Sequence, residues 1–205
     1  EKKGSSLDVQ KLSKTLNMLE AMRAPYIPQW QEVTEFIAPG TGSYYDVEPN
    51  QGIKRDWELL DPTPLYALDI LAAGMIGGLT NPSTRWFILE SDDPEVNMYP
   101  PAQKWLYDLS TLMLNVFLKS NFYKAMHQLF RECAAFGTAA MLIDPNPETV
   151  IQCTTFTAGE YSIACNALGR CNMFGRNFYL TVKQLVDEFG LENCPEAVQN
   201  QYKAG

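Results

Sequence analysis

Glu90, Asp92, Asp93 and Glu95 crowd carboxylates into one short stretch of the chain, a composition that lets a metal-dependent nuclease hold a divalent cation and activate water. That chemistry also needs a nearby Lys or His and carboxylates fixed on rigid elements, whereas Pro94 and its polar neighbours predict a solvated turn. Gly74, Gly77 and Gly78 raise a second possibility, a phosphate-cradling loop. Such a loop opens a helix and carries a Lys followed by Ser or Thr. These glycines close a helical pattern, and no Lys lies between Arg55 and Arg85. With Ala72 and Ala73 they read as steric relief, stripping bulk from a helix so that a neighbour can come close.

His127 is the only histidine; it sits beside Lys124 and Arg131 with no Ser or Cys nucleophile arranged locally, so a helix-surface or interface position is expected. The five cysteines, at 133, 153, 165, 171 and 194, are odd in number and include no Cys-x-x-Cys pair. Neither a zinc site nor a disulfide framework is indicated, and reduced structural thiols are expected. Glu160, in Ala158-Gly159-Glu160-Tyr161, stands at the start of a predicted strand, where a lone Glu is a turn or salt-bridge residue. No catalytic residue, cofactor site or metal site is expected.

The bulk composition agrees. Of 205 residues, 46% are hydrophobic and 20% charged, which fits a globular protein of one or two domains. Sixteen Lys and Arg against 24 Asp and Glu give a formal charge of −8. That balance argues against tight, non-specific gripping of DNA phosphates. The uncharged run Ile70–Thr84 contains Thr, Asn and Pro and falls short of the roughly 20 apolar residues of a membrane helix. No signal-peptide core is expected from this stretch, because apolar residues alternate with Lys, Ser and Asn from Leu7 to Glu20. Starting at Glu1 without a methionine, the chain is expected to be a piece of a longer polypeptide.

Helical stripes run through Val9, Leu12, Leu16 and Leu19, then through Trp30, Val33, Phe36 and Ile37, with a proline-marked bend between them. A strand is conceivable around Tyr44-Tyr45. Asp61-Pro-Thr-Pro64 marks a helix start, with Thr63 as cap; Leu65, Leu68, Ala72, Met75 and Leu79 predict a largely buried helix ending before Asn81-Pro82. Trp86–Glu90 reads as a short strand. Two more amphipathic helices follow, the second on Phe122, Met126, Leu129, Phe130, Cys133 and Phe136, closed by Gly137. Residues 138–143, 150–156, 161–165 and 170–179 are β-rich and predict a small antiparallel sheet or barrel. Thr181-Val-Lys-Gln184 is a capping box that opens a helix ending at Gly190. The fold class is therefore α+β. Its expected divisions are a helical region 1–137 with a short strand near 86–90, a β module 138–180 and a helical segment 181–205.

Taken in order, these segments resemble the head-to-tail connecting, or portal, proteins of short-tailed bacteriophages. The pieces are Trp30-x5-Phe-Ile-Ala-Pro39, Asp61-x-Thr63 with Ala67, Leu71-Ala-Ala-Gly74-Met-Ile-Gly-Gly78-Leu-Thr-Asn-Pro82-Ser-x-x-Trp86-Phe87-x-Leu89, and Ser120-Asn-Phe122. Phe136-Gly137-Thr138, Ala158-Gly159-Glu160-Tyr161, Gly169-Arg170 and Arg176-x-Phe-x-Leu-Thr181 complete the series. The resemblance implies a helix-rich wing region of a portal subunit, part of a ring that is normally a dodecamer at one capsid vertex of the virion, assembled in the host cytoplasm. It implies partners as well: the major capsid and scaffolding proteins, the terminase, a tail adaptor, and double-stranded DNA passing without tight binding. Trp30, Tyr44, Tyr45 and Trp57 are candidates for the subunit interface. The alternatives are a metal-dependent nuclease using the 90–95 turn, or a generic scaffold or adaptor module acting through the β region.

Overall fold

Two prolines shape the beginning of the chain. In the computed structural model, which describes residues 6–42 and 61–204, helix α1 (Ser6–Arg23) passes through a 3-10 turn (Ala24–Tyr26) into α2 (Ile27–Phe36). Pro25 and Pro28 each fall in the first turn of their element, so the missing N–H groups interrupt no established ladder. Tyr44, Tyr45 and Trp57, and the strand considered near Tyr44-Tyr45, lie outside the described residues.

Helix α3 (Thr63–Leu79) starts where the Asp61-Pro-Thr-Pro signal places it, but the capping oxygen differs. Asp61 Oδ1 accepts from Thr63 N (2.9 Å) and Thr63 Oγ1 (2.7 Å), and these bonds hold the carboxyl below the usual range. The acidic stretch then forms a short helix, α4 (Pro94–Met98), instead of an open turn. Asp93 Oδ1 caps it by accepting from Glu95 N at 2.9 Å, and Pro94 occupies the first turn. Helices α5 (Pro100–Lys119) and α6 (Phe122–Phe136) follow as expected, and Gly137 ends α6 in the left-handed region at φ 71°.

The strand expected at 86–90 does not form; residues 85–90 carry neither helix nor ladder. Side chains of α5 take the place of a neighbouring strand. Ser110 Oγ accepts from Leu89 N (3.1 Å), and Arg85 reaches Thr111 Oγ1 (2.7 Å) while lying over the Tyr107 ring. A short apolar run satisfies its backbone wherever partners stand, and here they stand on a helix.

The β region is antiparallel but forms two separate hairpins, not one sheet or a barrel. Strand β1 (Ala140–Asn146) pairs with β2 (Val150–Phe156), and β3 (Tyr161–Cys165) pairs with β4 (Cys171–Arg176). The run expected to continue to Tyr179 leaves its ladder at Arg176. Helix α7 (Val182–Phe189) opens on the expected capping box, with Gln184 N donating to Thr181 Oγ1 (3.3 Å) and Thr181 N to Gln184 Oε1 (3.0 Å). Helix α8 (Glu196–Ala204) completes the described chain.

Among the described residues, two small clusters hold part of the buried apolar side chains. One joins Ala38, Leu68, Phe136 and Ala158, with Trp30, Val33 and Ile37 packed against them. The other joins Phe122, Ala125 and Cys153 to Trp86, Phe117, Met141 and Ile151. Much apolar side-chain surface remains uncovered among the described residues. Helix α3 departs furthest from expectation. Only Leu68 and Ala72 on it are buried, whereas Tyr66, Ile70 (73% exposed), Leu71 and Leu79 face outward. A Cβ added at Gly74, Gly77 or Gly78 would meet nothing within 4 Å. The helix rests on α6 by one edge, where Arg131 and Asp69 form a 3.1 Å ion pair without hydrogen-bond alignment.

Candidate functional site

The turn Thr157-Ala-Gly-Glu-Tyr161 is gripped from three directions, and the grip begins with a buried carboxylate. Glu132 on α6 is 1% exposed. One of its oxygens accepts from Thr157 Oγ1 (3.1 Å) and Ala158 N (3.3 Å), the other from Gln128 Nε2 (2.8 Å). Burial pushes its pKa up; the bonds from Thr157, Ala158 and Gln128, and the charge of Arg131, partly oppose that. Thr157 Oγ1 in turn accepts from Gly42 N (2.8 Å), tying the segment after α2 to the same point. From α1, the Arg23 guanidinium donates to Gly159 O and to Tyr161 O (3.2 Å). Each donor to Glu132 belongs to the scaffold, so the carboxylate acts as a clamp.

Within the turn, Gly159 takes φ 94°, a conformation that L side chains rarely adopt. Glu160 folds back, its Oε2 accepting from Thr157 N at 3.3 Å, which is the turn role that a lone Glu suggests. The Tyr161 hydroxyl meets Thr138 Oγ1 at 3.3 Å, one residue past the Gly137 that ends α6, and burial raises its pKa. Arg176, the register partner of Tyr161, lays its guanidinium 4.0 Å over the Phe156 ring and 5.3 Å over Phe178. Gly137, Gly159, Glu160 and Arg176 therefore belong to one neighbourhood. Gly175 beside them admits α1, since an added Cβ there would lie 2.8 Å from Leu16 Cδ1.

The remaining signature residues sit elsewhere. Trp86 stacks on Phe117 and Phe122, packs edge-on to Phe87 and donates its Nε1–H to the Tyr123 hydroxyl at 3.1 Å. Asn121 joins this cluster to β2: its amide donates to Cys153 O (2.7 Å) and accepts from Cys153 N (2.8 Å). Pro82 follows the end of α3, while Gly74 and Gly78 lie on its open face. Trp30 is half-buried, with the exposed Tyr26 stacked on it at 5.9 Å. His127 lines an open depression of about 850 Å³ between α6 and β2, with Lys124, Gln128, Gln152 and Thr154. Among the described residues, no group of three or more His, Cys, Asp or Glu side chains could hold a metal ion.

The tertiary roles of Glu132, Arg23, Asn121 and Ser110 escape the sequence reading, although Asn121 stands there in the Ser120-Asn-Phe122 piece between two helices. Glu132 left a further signal: it lies in helical phase with Phe122, Ala125 and Phe136, a charge on the buried stripe. The face actually buried is turned by about one position from the expected one, leaving Cys133 exposed.

These features describe a rigid platform with an open apolar helix face, and the comparisons with known proteins fall on the same segments. The family model described as bacteriophage head to tail connecting protein matches residues 9–205. The chain is 38% identical over 187 residues to the probable portal protein of Bordetella phage BPP-1, covering 91% of this chain and 34% of that protein. It is 32% identical over 196 residues to the portal protein of Salmonella phage epsilon15, covering 96% of this chain and 35% of that one. The chain thus spans about a third of the length of these curated relatives. A family match running from the first helix to the last residue leaves one assignment: the chain belongs to the bacteriophage head to tail connecting protein family.

Proposed function

We propose that this chain is the wing-forming part of a portal subunit, which closes into a ring of twelve at one capsid vertex. There the ring admits DNA during packaging, docks the terminase, seats the tail adaptor, contacts capsid and scaffolding proteins, and releases DNA at ejection. The observation that carries this reading is the family match over residues 9–205, joined to two relatives named as portal proteins. The formal charge of −8 suits it, because a channel through which DNA must slide gains nothing from tight phosphate binding. Assembly of phage particles without the full-length gene product tests the proposal. Heads should then hold no packaged genome and carry no tails; normally filled, tailed particles would refute it.

A ring needs a head-to-tail contact that closes after a fixed rotation. The face of α3 bearing Tyr66, Ile70, Gly74 and Gly77 is proposed as one half of that contact, on the strength of its exposure and its open glycines. Trp30 with Tyr26, and Tyr44, Tyr45 and Trp57, are proposed as further ring-facing area. Ile70→Asp in the full-length protein should leave the helical circular dichroism unchanged and weaken each subunit contact by about 2 kcal/mol, roughly 30-fold in affinity. Rings of undiminished stability in this variant would remove α3 from the interface.

A further inference from the structure

Cys165 and Cys171 stand opposite each other in the β3–β4 register, both exposed and both free thiols. The turn between them dictates how they face. Gly169 N donates to Asn166 O and Asn166 N to Arg170 O, each at 2.9 Å, with Gly169 at φ 74°. This is a type I turn followed by a left-handed glycine. Asn166 Oδ1 reinforces it by accepting from Leu168 N and Arg170 N, each at 3.0 Å. Asn166 and Arg170 form the bonded end of the turn, so the next pair out, Cys165 with Cys171, takes the non-hydrogen-bonded position. In that position Cα atoms approach to about 4.5 Å and the side chains leave one face together. A disulfide spans Cα separations of roughly 4.4–6.8 Å.

The ladder would not have matched two cysteines by regular pairing. From Tyr161↔Arg176 to Ala164↔Met173 the register is constant, and continuing it would set Cys165 against Asn172. A bulge at that point skips Asn172 and brings Cys171 across instead. The two buried thiols, Cys153 and Cys194, are shielded from a soluble reagent. Cys171 Sγ makes only a weak 3.5 Å contact with Met173 O, which rotation about its side-chain bond releases.

We infer that Cys165 and Cys171 are a modification site, oxidised by a small-molecule disulfide to a cross-strand disulfide that staples the exposed tip of the β3–β4 hairpin. One cysteine thiolate attacks the reagent, forming a mixed disulfide and expelling a thiolate. The second cysteine thiolate then attacks the protein-side sulfur, closing the 165–171 bond and expelling the other thiolate. Two cysteine thiols are oxidised and one reagent disulfide is reduced to two thiols. The staple stays open in a reducing compartment and closes in an oxidising one.

The full-length protein incubated with oxidised glutathione, then unfolded and alkylated, tests this. The buried Cys153 and Cys194 should take the label, while Cys165 and Cys171 should escape it and appear on one linked peptide lighter by two hydrogens. Trypsin cutting after Arg170 should leave two pieces joined until reductant is added, and Cys165→Ser should abolish the linked peptide. A persistent glutathione adduct on Cys165 or Cys171 of the wild type, a link between two chains, or alkylation of both Cys165 and Cys171 would overturn the inference.

Discussion

Glu132→Ala should destabilise the protein by about 3 kcal/mol, because it orphans the donors of Thr157, Ala158 and Gln128 and leaves a void in the packed turn. Glu132→Gln keeps the shape and one accepting oxygen, and a flip of the Gln128 amide restores the third bond; its cost should be about 1 kcal/mol or less. Hydrogen exchange at the Ala158 amide reads the opening locally, and denaturant melts read it globally. An Ala158 amide as protected in Glu132→Ala as in the wild type would show that the carboxylate does not hold the turn.

The same residue sets a pH dependence whose sign follows from its environment. Burial raises the folded pKa of Glu132 above the ordinary glutamate value, so the folded state keeps the proton more readily than the unfolded chain does. The stability contributed by protonation is fully present below the unfolded pKa and is lost as pH rises through the raised folded one. On acidification from neutrality toward pH 4.5, the wild type should therefore gain stability relative to Glu132→Gln. A wild-type-minus-Gln difference that stays flat over that window would contradict the assignment.

Phe122→Ala should cost about 3–5 kcal/mol. Its ring lies 4.2 Å from Phe117 and 6.3 Å from Trp86, both nearly parallel, and is edge-on to Tyr123 at 5.4 Å. Truncation empties the centre of the cluster that joins α5, α6, β2 and the 85–90 segment. Trp86→Phe keeps most of the stack and loses the indole bond to the Tyr123 hydroxyl, for a smaller expected cost of about 1–2 kcal/mol. Tryptophan fluorescence and denaturant melts would measure both. A Phe122→Ala penalty below that of Trp86→Phe would mean that the aromatic stack is not what joins these elements.

Local signals were legible in the sequence because their physics is local. The capping box at Thr181, the glycine ending α6 and the helix start at Asp61-Pro-Thr-Pro64 each depend on atoms a few residues apart. Tertiary partners were not. Glu132 meets Thr157 only when the β2–β3 turn folds onto α6, and nothing in Trp86–Glu90 announces that Ser110, on a helix, will receive the Leu89 N–H. The 165–171 pairing likewise depends on a bulge that strand periodicity does not encode. For α3, apolar periodicity predicts a buried face but does not say what covers it.

Native mass spectrometry of the full-length gene product reads the proposed ring itself. A single closed ring of twelve subunits that persists at assembly concentrations is expected. A stable monomer at those concentrations would contradict it.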